Sequence, residues 1–178
     1  MKESADYIIR AVRETLKEDI ENTDKFVDLL IGSRKIFLYG VGRSGLIAKA
    51  FAIRLVQMGL EVFFVGETIT PIVEEGNLVV IVSYTGETMS AIQTANIVRR
   101  VGAKVVSITA HPHSKLAAAS NLVIEIHPPK DEDRKRLAPL GTLFEDATLI
   151  YLDSVVAELM ERLGQSEGSM RRRHAIWV

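Results

Sequence analysis

Cysteine is absent from the 178 residues. That removes disulfides, thiolate metal sites and cysteine nucleophiles together, and it is compatible with a reducing compartment. Long apolar runs are missing as well: no stretch approaches the roughly 20 residues needed to span a bilayer. The first residues, Met1-Lys2-Glu3-Ser4-Ala5-Asp6, lead into an amphipathic pattern rather than the apolar core of a signal peptide. A cytoplasmic location with no membrane partner is therefore expected. Charge of one sign is not in excess either. Lys and Arg number 22 against 23 Asp and Glu, and the net charge of −1 offers no general attraction to nucleic acid. There is no internal repeat and no low-complexity segment. What is present is an ordinary globular balance, 47% hydrophobic and 25% charged. The length suits one domain with a full core, spanning 1–178, and would cramp two.

The chain is organised around Ser83-Tyr84-Thr85-Gly86-Glu87-Thr88. It follows the unbroken apolar run Leu78-Val79-Val80-Ile81-Val82 and precedes a helical pattern over 89–101. A buried parallel strand thus empties into a loop of hydroxyls and glycine that opens a helix. Three side-chain hydroxyls and the free N–H groups of a helix start converge there, and the helix dipole favours negative charge. That combination suits a phosphate monoester. No Lys follows the glycine, which excludes the Gly-Lys-Ser/Thr nucleotide loop.

Residues 4–31 read as an N-terminal helix with a possible break at Glu21-Asn22-Thr23-Asp24. Strands are predicted over 35–39, 61–65, 78–82, 104–109 and 122–126, separated by helices over 46–58, 89–101 and 115–120. The charged run 130–136 reads as a solvated loop, 143–163 as a long final helix and 164–178 as a polar tail. Five apolar strands alternating with helices predict an α/β fold: a three-layer αβα sandwich on a five-stranded parallel sheet, in the flavodoxin-like order 2-1-3-4-5. The switch point of that order lies between strands 1 and 3, at their carboxyl ends. The loops leaving there, 40–45 and 83–88, are the two richest in Gly, Ser and Thr. Topology and composition indicate the same cleft.

Each motif has a plainer explanation. Gly40, Gly42 and Gly45 satisfy G-x-G-x-x-G after a strand, and Glu67 lies about 20 residues further on, where a ribose ligand would stand. A dinucleotide enzyme would need a separate substrate domain, however, and the hydroxyl-rich second loop would have no task. Tight turning alone explains Gly45 better than Gly42, and it leaves Ser44 as a further hydroxyl ligand. Thr88 is a plausible helix N-cap, yet capping one helix does not call for three hydroxyls and a glycine. Glu145 opens the final helix in Gly141-Thr142-Leu143-Phe144-Glu145-Asp146. There an acid complements the helix dipole, and Asp146 would serve as well. The apolar neighbours make that turn partly buried, and a desolvated carboxylate is the stronger base for removing a proton beside a carbonyl.

Four histidines remain. His111 and His113 flank a proline in a loop too cramped for a metal pair, and His127 ends the fifth strand away from the switch point. His174 follows Arg171-Arg172-Arg173, before an apolar end, Ala175-Ile176-Trp177-Val178. An unanchored tail gains nothing from Ile and Trp, so this end is expected to dock, a neighbouring subunit being one place for it.

With these residues in view, the chain resembles the sugar isomerase (SIS) domain family along nearly its whole length, and within it the 6-phospho-3-hexuloisomerases. The resemblance is carried by Gly40-Val41-Gly42-Arg43-Ser44-Gly45, by the 83–88 loop, by Pro139-Leu140-Gly141-Thr142-Leu143-Phe144-Glu145 and by Arg173-His174-Ala175. Similar tails usually continue Ala-Asn-Leu-Glu, from which this chain departs. The resemblance implies interconversion of D-arabino-hex-3-ulose 6-phosphate and D-fructose 6-phosphate by a homotetramer, with neither metal nor organic cofactor. It implies that Ser44, Ser83, Thr85 and Thr88 hold the phosphate of a phosphorylated ketohexose, with Gly42, Arg43, Gly86 and Glu87 completing the binding set. Glu145 would be the base, and His174 from a neighbouring subunit would handle the oxygen protons. Another phosphosugar isomerase, or a non-catalytic sugar-phosphate sensor, is the alternative.

Overall fold

A computed structural model describes residues 1–175. The expectation for Ile176-Trp177-Val178 lies outside the described residues. The sheet comprises β1 (Ile36–Gly40), β2 (Val62–Phe64), β3 (Leu78–Val82), β4 (Lys104–Thr109) and β5 (Leu122–Glu125). All four pairings are parallel, and the order is β2-β1-β3-β4-β5, as the sequence predicts.

Alternate residues of the strands feed two cores. Ile36, Leu38, Leu78, Val80, Val82, Val106 and Ile108 point to one face. There they meet Phe26 and Leu30 of α2 (Thr23–Gly32), Phe51 and Leu55 of α3 (Arg43–Gln57), and Phe144 and Leu152 of α7 (Thr142–Arg162). Phe37, Val79, Ile81 and Val105 point to the other face, against Ala91, Ala95 and Val98 of α4 (Met89–Arg100) and Leu116 of α5 (Lys115–Ala118). β3 is buried at every residue, which is why its sequence is a continuous apolar run rather than an alternating one. Each such side chain contributes roughly 1.5–3 kcal/mol by leaving water.

Because α3 returns the chain to one side of β1 and α4 carries it to the other side of β3, their helices cover opposite faces. The exits of the two strands therefore gape apart and leave a crevice between them. β1 and β3 are in register up to Gly40 opposite Val82, so the next residues of each leave side by side.

Three segments differ from the sequence reading. The N-terminal helix is two helices, α1 (Lys2–Thr15) and α2, and the break begins at Leu16, earlier than Glu21. Asn22 ends the break in the left-handed region (φ 67), a conformation asparagine tolerates, and the Thr23 hydroxyl donates to Ile20 O at 2.6 Å. The run 130–136 ends in a short helix, α6 (Arg134–Leu137), that reaches one residue beyond it. Arg136 pairs it with Glu3 at 2.7 Å, and the Ser4 hydroxyl donates to Leu137 O at 2.6 Å. The tail holds α8 (Glu167–Arg171), opened by a capping box between Ser166 and Ser169 and anchored by the buried Met170. Helices of four or five residues are too short to display a period.

Candidate functional site

The strand-to-helix turn after β1 depends on contact between two glycines. A Cβ on Gly45 would lie 2.5 Å from Gly40 O, and one on Gly40 would lie 2.8 Å from Gly45 N. Gly42 caps α3 at φ 60, where side chains are rarely accommodated. This tight turn brings Ser44, in the first turn of α3 and only 9% exposed, beside the end of β3.

The second turn is held from behind. Gly86 takes φ +63, and a Cβ there would lie 2.0 Å from the Ser114 hydroxyl. Gly86 O accepts from the Leu116 N–H at 3.0 Å. Glu87 accepts from the Lys115 N–H at 3.0 Å and pairs with its ammonium at the same distance. The Lys115 backbone N–H first, then its side chain, lowers the Glu87 carboxyl below its ordinary value. Glu87 thus clamps the loop to α5 rather than facing the crevice.

Ser83 is buried; its hydroxyl accepts from the Gly86 N–H at 3.2 Å and lies 3.3 Å from the Thr88 hydroxyl. The Thr85 hydroxyl accepts from the Glu87 N–H at 3.2 Å. Thr88 stands at the N-cap of α4, yet its side chain makes no capping bond. Its hydroxyl is turned toward Ser83, and the N–H groups of the first turn are left without an intrahelical partner. The capping explanation for Thr88 therefore does not hold. Val41, Ser44, Val82, Ser83, Tyr84, Thr85, Thr88 and Ala91 line a cavity of about 140 Å³, a compartment of hydroxyls and helix-start N–H groups. Neutral donors and a helix dipole of this kind suit a tetrahedral oxyanion without needing a lysine.

Glu145 is buried at 8% exposure in the first turn of α7. It is not an isolated acid, because the Arg43 Nε–H donates to its Oε2. Arg43 also reaches within 3.8 Å of Asp146. Burial raises the Asp146 carboxyl above its ordinary value, the Arg43 charge opposes the shift, and Glu145 adds to it. A Cβ on Gly141 would lie over the face of the Glu145 carboxyl, 3.3 Å from Oε1 and 3.7 Å from Oε2, so the glycine leaves room above this acid. Tyr84 lines the cavity, and its ring packs at 5.2 Å on Phe144, the residue before this acid. Leu140, just before this turn, is exposed and holds φ 59, a left-handed conformation that costs a non-glycine residue roughly 1–2 kcal/mol.

The structure thus brings Ser44, Ser83, Thr85 and Thr88 together around one cavity, with Glu145 bonded to Arg43, the residue before Ser44. It does not bring every expected residue there. Arg43 faces Glu145, and Glu87 faces Lys115. His174 lies with Arg173 at the opposite end of α3, where Arg173 donates to Gln57 O at 3.1 Å. At 1.5 Å per residue, the helix between Arg43 and Gln57 separates His174 from the site by roughly 20 Å within one chain. Tyr84 has no role in the sequence motif, because its packing on Phe144 joins residues 60 positions apart, for which a lone sequence carries no signal.

Comparison with known proteins shows the family of the chain. The model of the SIS domain matches residues 29–150. The 3-hexulose-6-phosphate isomerase of Bacillus subtilis is 40% identical over 159 residues, 87% of this chain and 86% of that protein. Its namesake in Methanocaldococcus jannaschii is 35% identical over 151 residues, 85% of this chain and 81% of that one. A crystal structure of a Methanococcus jannaschii protein, from which a 3-hexulose-6-phosphate isomerase function was inferred, superposes with a TM-score of 0.85 at 32% identity. That match covers 98% of this chain and 97% of the other.

Proposed function

This chain belongs to the SIS domain family, and we propose that it interconverts D-arabino-hex-3-ulose 6-phosphate and D-fructose 6-phosphate. The observation that carries the proposal is the pairing of a hydroxyl-lined cavity with a buried glutamate through the adjacent residues Ser44 and Arg43. Relatives of that name at 40% and 35% identity support it.

The substrate's phosphate occupies the 83–88 cavity, taking hydrogen bonds from Ser44, Ser83, Thr85 and Thr88 and from the open N–H groups of α4. Binding so far from the reacting carbons turns phosphate affinity into positioning of C2 and C3. The Glu145 carboxylate then removes the proton on C2 as the C3 carbonyl oxygen takes up a proton, giving an enediol with a C2–C3 double bond. Loss of the proton on O2 and return of a proton from Glu145 to C3 complete the transfer. Bonds and electrons balance without an external oxidant. His174 of a neighbouring copy supplies and removes the oxygen protons, because its own chain keeps it at the far end of α3. A homotetramer would provide that arrangement.

Incubation of the purified protein with hex-3-ulose 6-phosphate, followed by NMR, tests the reading: signals of fructose 6-phosphate are expected to appear. Substitution Glu145→Gln is expected to lower kcat by roughly 10²–10⁴-fold, the usual worth of general acid–base help, with KM little changed. Full turnover in that variant removes Glu145 from the role. Binding without turnover in the wild type favours a sensor, and turnover only of an aldose phosphate favours an aldose–ketose isomerase.

A further inference from the structure

Arg43 stands in the turn that resembles a phosphate-binding loop, but its side chain is directed elsewhere. The cavity is lined by Val41 and Ser44 on either side of it, and Arg43 itself is not among the lining residues. Its Nε–H is instead bonded to Glu145 Oε2, in a pair whose two partners differ sharply in exposure: the Arg43 side chain is 61% exposed and that of Glu145 is 10% exposed. A surface arginine therefore supplies the counter-charge of a buried acid. Asp146, on the same helix, lies 3.8 Å from the same guanidinium and is too far for a good hydrogen bond.

We infer that Arg43 is a positioning residue for Glu145 rather than a ligand of the substrate's phosphate. Two features carry this. The first is the bond from Nε–H, which occupies one carboxylate oxygen, Oε2, restrains the group's last torsion and leaves Oε1 as the oxygen to take up a proton. The second is the turn itself. Gly42 caps α3 at φ 60, and Gly45 closes on Gly40, so the position of Arg43 is set by the same backbone that places Ser44 in the cavity. Phosphate site and base are thereby held at a fixed separation by two adjacent residues of one turn, Ser44 to the cavity and Arg43 to the acid.

This inference rests on the isomerase reading for its kinetic test but not for its spectroscopic one. In Arg43→Ala, kcat is expected to fall by roughly a hundredfold, the loss associated with displacing a catalytic group by about an ångström. KM should stay within about threefold, because the phosphate site is untouched. Arg43→Lys keeps the charge without the planar donor and should recover part of the loss. Guanidinium ion added to Arg43→Ala should restore turnover through the solvent-open slot left behind. In a Glu145→Gln background, Arg43→Ala should lower kcat no further, since the residue acts through the acid. A KM rise with kcat preserved, an equal loss of kcat in the Glu145→Gln background, or no change at all would each overturn the inference. If the wild type shows no isomerase activity, that reading alone fails, and the positioning role is read directly. The side-chain carboxyl ¹³C signal of Glu145, identified by its loss in Glu145→Gln, should move in Arg43→Ala; an unmoved signal rejects the role.

Discussion

Replacing Ser83 by alanine isolates the anion cavity from the chemistry. Ser83 is 4% exposed, and its hydroxyl accepts from the Gly86 N–H at 3.2 Å while lying 3.3 Å from the Thr88 hydroxyl. In the free protein the substitution leaves the buried Gly86 N–H without that acceptor, a loss of about 1–3 kcal/mol. In the complex it also removes a hydrogen bond to a charged oxygen, worth about 1.5–3 kcal/mol. At 1.4 kcal/mol per decade, affinity for the phosphorylated substrate should fall roughly ten- to hundredfold. The assay is the isomerisation rate against substrate concentration, with inhibition by inorganic phosphate measured alongside. Both KM and the phosphate inhibition constant should rise together, and kcat at saturation should stay within a few-fold because Glu145 and Arg43 are untouched. Thermal denaturation separates the stability loss from the binding loss. A folded Ser83→Ala protein with wild-type KM and unchanged phosphate inhibition would refute the assignment of this cavity to the phosphate.

Two further outcomes follow from the packing. Gly86→Ala would place a methyl 2.0 Å from the Ser114 hydroxyl at φ +63. Backbone strain and overpacking together should cost roughly 2–4 kcal/mol, a fall in Tm of about 5–15 °C, and calorimetry showing an unchanged Tm would contradict the close approach. Tyr151 on α7 is 5% exposed, and burial pushes its phenol from 10.0 up to about 12, against a small lowering by the Thr23 hydroxyl. Its folded value lies above the unfolded one, so the associated stability is fully present below about pH 10 and is lost as pH rises through about 12. Two units correspond to about 2–3 kcal/mol. Urea titrations at rising pH should show Tyr151→Phe losing less stability over this window than the wild type; equal slopes would refute it.

The sequence alone determined the sheet and the location of the crevice. Unbroken apolar runs such as Leu78-Val79-Val80-Ile81-Val82 can satisfy both faces only inside a parallel α/β sheet. The flavodoxin-like order common to five such strands places the two hydroxyl- and glycine-rich turns at one switch point, and the sheet has that order. The hydroxyls of Ser44, Ser83, Thr85 and Thr88 were legible for the same reason, because they sit within a few residues of strands whose ends are fixed by local pattern. Glu145 was legible as a half-buried acid at a helix start, but not as the partner of Arg43.

Tertiary structure alone decided what the charged residues do. Arg43 and Glu145 are 102 positions apart and meet only because α3 and α7 cover the same face. Glu87, placed by its motif among the binding residues, is drawn instead to Lys115 of α5. His174 ends near the far end of α3, where its neighbour Arg173 donates to Gln57 O, because α8 buries Met170 against the core. Long, flexible, charged side chains choose partners by proximity in space, and a local sequence pattern records hydrophobic period and turn chemistry but no distance across the sheet.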